Sequence, residues 1–299
     1  MSKVSSMTEV LRLMGLVAAT VVLMVASPLI GSTNVEAAEV GSGSAEAAAL
    51  TAVAAEATEA AEAAGLTPET VEVVASTSWT AAIARAAGAT RVTVLAPAEL
   101  RHPPEYDFRA SDIAKVAGSA IVVWGGYEPF IQRLIQAAEV PEERVVQVST
   151  VNTPDNLMAQ SRLLSERLGT IEAQQAWEKE FERFAADLRS QAGAAGAGET
   201  RVLVHFHQQG LAEWLGYNVV GVFGPDELSP ARVVELTQLK PDLIMDNYHN
   251  PQAQAVQEIT GCRRVELRNF PETETDTIET LLLDNARKLG LLGDGPADF

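Results

Sequence analysis

Residues 71–95 read VEVVASTSWTAAIARAAGATRVTVL, and their rhythm decides the fold. Val71-Glu-Val-Val-Ala75 is a short β run, Thr80–Ala87 predicts a helix, and Arg91–Leu95 predicts a second strand. Strand, helix and strand at this spacing imply a parallel pair with the helix packed across it. The rhythm continues outward. Ser111–Ala117 predicts a helix with Ser111 as its N-cap, Ala120–Trp124 a buried strand, Pro129–Ala138 a helix and Arg144–Val148 a strand.

The pattern then changes and returns. Thr153-Pro154 places a cap before a helix-opening proline, starting a helix towards Gly169. Thr170 begins a longer one in which Trp177, Phe181, Phe184 and Leu188 recur at helical spacing, fading into the Gly/Ala run that ends at Gly198. Strands are then expected at Arg201–His205, Val219–Phe223, Asp242–Met245 and Arg264–Leu267. Helices are expected at Leu211–Leu215, Pro230–Gln238, Pro251–Thr260 and Asp276–Leu289. The layout predicts an α/β protein of two lobes, each a parallel sheet flanked by helices. The N-terminal lobe is 67–150, the helical connector 151–198 and the C-terminal lobe 199–299. A ligand belongs in the crevice where the strand-end loops of both lobes face each other.

Ahead of the lobes, Lys3 and Arg12 precede the nearly all-apolar stretch Leu13–Ile30, and Val35-Glu-Ala37 offers a small-x-small cleavage site. Residues 1–37 read as an export signal, with an uncleaved membrane anchor as the alternative. Residues 38–66 are Ala/Glu-rich without an apolar stripe and read as a solvated tether. The chain carries 22 Lys and Arg against 40 Asp and Glu, a formal charge of −18, which argues against nucleic-acid partners. Its single cysteine, Cys262, excludes an internal disulfide and a Cys-based zinc knuckle.

All four histidines fall at predicted strand ends or in the following loops. His102 follows the second strand, His205 and His207 close the fifth, and His249 follows Asp242–Met245. Neutral imidazole is the commonest metal ligand, so this shared edge suggests a metal site; isolated surface or core histidines are the plainer reading. Of the buried-strand carboxylates, Asp246 emerges at the same edge, either as a ligand or as a cap for the helix after Pro251. Glu128 and Glu213 have structural readings at helices.

These segments resemble the zinc/manganese solute-binding proteins of ABC importers, the TroA-like group, over about Val71 to Leu289. Val71–Thr77 with Val92–Pro97 resembles the family's opening strand and its approach to the first ligand loop. Tyr106 and Ser111-Asp112 match part of its Pro-His-x-Tyr-Glu-Pro-x-x-Ser-Asp motif, with His102 two places early. Trp124-Gly-Gly-Tyr-Glu-Pro-Phe130 resembles its Asn-Gly-x-x-x-Glu-Pro-Trp turn. The chain departs at two ligand positions: Ser149–Thr153 holds no histidine and Arg268-Asn269 no carboxylate.

The resemblance implies a metal site of His102, His207 (or His205), Asp246 and His249, with Glu105 as a further replacement ligand. It implies an exported, monomeric, non-enzymatic binding protein that takes zinc or manganese as cargo and delivers it to an ABC-transporter permease. A metal chelate as cargo, a secreted metal-dependent hydrolase, and a surface adhesion protein without metal are the alternatives. The hydrolase lacks a His-Glu-x-x-His helix and a Gly-x-Ser-x-Gly elbow, and the chain has no P-loop of its own.

Overall fold

Four strands, β1 (Glu72–Ala75), β2 (Arg91–Val94), β3 (Ile121–Trp124) and β4 (Val145–Gln147), form the first sheet of the computed structural model, which describes residues 71–292. The expected export signal and tether lie outside the described residues. All pairings are parallel, in the order β2-β1-β3-β4. Helices α1 (Ser78–Ala86), α2 (Ala110–Gly118) and α3 (Pro129–Ala137) make the crossovers.

The second sheet repeats the plan. Strands β5 (Arg201–His205), β6 (Asn218–Phe223), β7 (Leu243–Asn247) and β8 (Arg263–Leu267) pair in parallel in the order β6-β5-β7-β8. Its crossovers are α6 (Gln209–Trp214), α7 (Pro230–Gln238) and α8 (Gln254–Thr260), and α9 (Ile278–Leu289) follows the last strand. Between the sheets run α4 (Pro154–Leu168) and α5 (Ile171–Ala194). The expected class, α/β with two parallel sheets flanked by helices, is the observed one.

Strand alternation divides the core. Val73 and Val123 face inward with Val202, Val204 and Met245 in a single apolar cluster that also takes Ile83, Leu157, Phe181 and Ile278. Their neighbours Val74 and Val122 point to the opposite face and pack on Phe130 and Leu134, while Leu203 and Ile244 pack on Leu236 and Val256. The inner cluster therefore belongs to both lobes. Each fully buried Leu or Phe in it contributes roughly 1.5–3 kcal/mol. Trp177 stacks on Phe181 with ring centroids 4.7 Å apart, and its indole N–H donates to Glu279 of α9 at 2.7 Å, so the last helix is clamped back on the connector.

Local signals acted as physics requires at most ends. Gly169 closes α4 at φ 69°, and Ser229 and Thr277 cap α7 and α9 through their side chains. Two differ from expectation. Thr153 precedes α4 without a side-chain cap bond. Ser111 lies inside α2, which starts a residue earlier because the Asp112 carboxylate reaches back to the Arg109 N–H at 2.9 Å while also taking the Tyr106 hydroxyl and the Lys115 ammonium. No described helix is long and apolar enough to cross a membrane.

Candidate functional site

In both sheets the strand order reverses beside the first strand, between β1 and β3 and between β5 and β7. Open α/β sheets place ligands outside the carboxyl ends of the strands at such switch points. The loops leaving these strands enclose a cavity of about 750 Å³. From the first lobe it receives Trp79, the 101–105 loop after β2, Tyr127 after β3 and Thr150–Asn152 after β4. The second lobe supplies Phe206, His207 and Glu213 after β5, Asn247 and His249 after β7, and Asn269 and Phe270 after β8.

His249 is the most constrained of these groups. Its Nδ1 lies 2.9 Å from the Arg101 carbonyl, which can only accept, so Nδ1 carries the proton and Nε2 the lone pair. That Nε2 is buried with no partner. The ring is held edge-on against Tyr248 and Phe270, and its backbone N–H donates to Asn247 Oδ1 at 2.7 Å. Burial, above all, pushes its pKa down to about 4, so the imidazole is neutral at pH 7. A neutral ring whose far nitrogen is tied to a carbonyl is the usual state of a metal-ligating histidine.

His102 and His207 are exposed on the same cavity, one from each lobe. His205 is fully buried and does not line it. Its Nδ1 accepts the His207 N–H at 3.1 Å and its ring meets Phe223 edge-on, which makes it part of the support under His207. Of the two candidates at the end of β5, His207 is the one that faces the cavity.

Asp246 has a different place. Its carboxylate is completely buried and takes Arg264 Nη1 at 2.6 Å and the backbone N–H groups of Asn247, Gln252 and Ala253 at 2.8, 3.1 and 2.9 Å. It is absent from the cavity wall. The structure thus gives Asp246 the capping role before α8 in place of the expected ligand role: a carboxylate saturated by four donors has nothing left to offer an ion. Glu128 is likewise fully buried, accepting from Ser76 Oγ at 2.6 Å and from the N–H groups of Gly125 and Tyr127. This bracing sets the turn that puts Tyr127 on the cavity, and Gly125 is needed because a Cβ there would lie 2.3 Å from the Tyr127 ring.

Where the resembling family has its last carboxylate, Asn269 stands in an amide network. Its Oδ1 takes both the Gln208 side-chain amide and that of Asn247, the latter at 3.0 Å. The structure places His102, His207, His249 and Glu105 around one cavity, but among the described residues no three His, Cys, Asp or Glu side chains form a group that could hold a metal ion. Asn152, Arg101 and the aromatic wall were not singled out from sequence; their only signal was position in strand-end loops.

No protein-family model and no curated sequence matches the chain. Solved structures do. The SBP FpvC from Pseudomonas aeruginosa, in complex with Mn2+, is 19% identical with a TM-score of 0.61, covering 73% of this chain and 96% of that one. A Cd-bound periplasmic metal binding protein from Candidatus Liberibacter asiaticus is 13% identical with a TM-score of 0.58, covering 75% and 100%. The laminin binding protein Lmb of Streptococcus agalactiae, a bifunctional protein with adhesin and metal transporting activity, is 14% identical with a TM-score of 0.56, covering 74% and 100%. The described chain is therefore built on the fold of these metal-binding proteins, two parallel α/β sheets joined through paired helices.

Proposed function

We propose that this protein is the extracytoplasmic binding component of an ABC importer, which captures a divalent metal ion, zinc or manganese, and hands it to a membrane permease. It performs no reaction; its work is selective capture and release. The observation that carries this reading is the His249 imidazole, neutral, oriented by the Arg101 carbonyl and with its Nε2 buried and unpartnered, in a side chain that lines the same cavity as His102 and His207. Imidazole suits zinc well, and His102 and His207 come from opposite lobes, so an ion between them would bridge the crevice. The fold likeness to proteins described with Mn2+ and cadmium supports the cargo class.

Titration calorimetry on the metal-free protein with zinc and with manganese tests it. His207→Ala and His249→Ala are each expected to weaken binding by at least about tenfold, since loss of a ligand exceeds the effect of losing the groups behind it. Unchanged affinity in both variants overturns the site.

A further inference from the structure

The cavity is far larger than an ion requires. A volume of about 750 Å³ lies within the roughly 300–1,000 Å³ of sites that enclose small organic molecules. Its wall also differs from that of a bare-cation trap. The two buried strand-end carboxylates, Glu128 and Asp246, are consumed by internal donors, and Glu213 is exposed and engaged by Gln209, which leaves the exposed Glu105 as the one carboxylate lining the cavity that is not engaged among the described residues. Arg101 faces the cavity with no ion-pair partner among the described residues, its guanidinium 5.7 Å from the Tyr248 ring. An unneutralised guanidinium repels a naked dication and attracts carboxylates, which it binds in bidentate fashion.

Two further features ask for an organic partner. Asn152 is only 5% exposed and His249 only 6%, yet Asn152 Oδ1 and His249 Nε2 are buried without partners. Buried acceptors are normally satisfied, so both await a donor or a metal. In addition, Tyr127, Val151 and Phe206, each more than two-fifths exposed, all line this cavity. Such apolar surface around a polar centre is what the carbon skeleton of a ligand covers.

We infer that the cargo enters as a metal ion already held in an anionic organic chelate: the chelator supplies most of the coordination, His249 Nε2 completes it, Arg101 meets the chelator's carboxylates, and Phe206 and Tyr127 cover its skeleton. This deepens the metal-carrier reading and rests on it. The missing third ligand follows directly, because a chelated ion arrives with its coordination sphere nearly full.

The test uses calorimetry on the metal-free full chain with zinc alone, with metal-free chelators, and with 1:1 zinc complexes of nitrilotriacetate, citrate and dipicolinate. At least one complex is expected to bind about tenfold or more tighter than both zinc alone and its own chelator, and Arg101→Met is expected to cut that preference to threefold or less. Zinc alone binding as tightly as every complex, or a preference that Arg101→Met leaves intact, overturns the inference while the metal-carrier reading stands. If neither zinc nor any complex binds, both fall.

Discussion

Strands β3 and β7 hold the same place in their respective sheets, and each delivers a fully buried carboxylate near its carboxyl end. The two are stabilised by different means. Glu128 in the first lobe is held by one hydroxyl and by the backbone of its own turn, with no ion-pair partner among the described residues. Asp246 in the second lobe is held by three backbone N–H groups and by Arg264, which also pairs with Glu266 on the same strand. The first arrangement fixes a turn that carries Tyr127; the second fixes the start of α8 and ties β7 to β8. Neither side chain reaches the cavity, so a carboxylate at a strand end is here a device for shaping the wall.

The largest effect is expected where the comparison has a cation to lose. Arg264→Met leaves Asp246 charged, buried and unpaired, which costs about 3–5 kcal/mol in comparable cases. Urea unfolding measures it, and Asp246→Asn added to Arg264→Met should restore part of the loss by removing the stranded charge. A cost under about 1 kcal/mol in the single variant would mean that the backbone donors alone suffice.

The second lobe also carries a response to acid in its buried histidines. His205 and His249, both in the second lobe and both nine-tenths buried or more, have pKa values pushed down to about 4, each chiefly by burial. The unfolded chain binds protons on these rings from about pH 6.5 downward, and the native state resists until about pH 4. Their contribution to stability is therefore complete above about pH 6.5 and is lost as the pH falls towards 4, by at most roughly 3 kcal/mol for each ring. Unfolding curves at pH 7, 5.5 and 4 check this, and His249→Gln should flatten the dependence. A slope unchanged in that variant would assign the acid sensitivity elsewhere.

How much of this was legible in the sequence follows the kind of signal each residue carries. The sheets were legible because runs such as Val71–Ala75 and Ala120–Trp124 alternate with helical segments, and the strand-end position of His102, His207 and His249 follows from that rhythm alone. Asp246 was not legible as a cap, because all five residues of β7 are buried. A strand covered on both faces has no polar alternation to show which way a side chain turns. Its partner Arg264 is eighteen residues away on another strand, a pairing that only the sheet order reveals. Asn152, Trp79 and Phe270 reach the cavity from separate loops, and single amides or aromatics have no spacing that marks them.

The smallest effect, and the sharpest test of the contrast, concerns Ser76. Its hydroxyl donates to Glu128 Oε1 at 2.6 Å, the one side-chain bond that this carboxylate receives among the described residues. Thr80 Oγ1 lies 3.1 Å from Ser76 Oγ, but its own proton goes to the Thr77 carbonyl at 3.0 Å, so it has no second proton to replace the lost donor. Hydrogen bonds to charged groups contribute about 1.5–3 kcal/mol, so Ser76→Ala should cost that much and still less than Arg264→Met. The backbone donors of Gly125 and Tyr127 remain, so the turn should persist and carry Tyr127 as before. Cargo affinity should then change less than about threefold while the urea midpoint falls. A loss as large as that of Arg264→Met would show that the hydroxyl does for the first lobe what the guanidinium does for the second, and the two carboxylates would be equivalent after all.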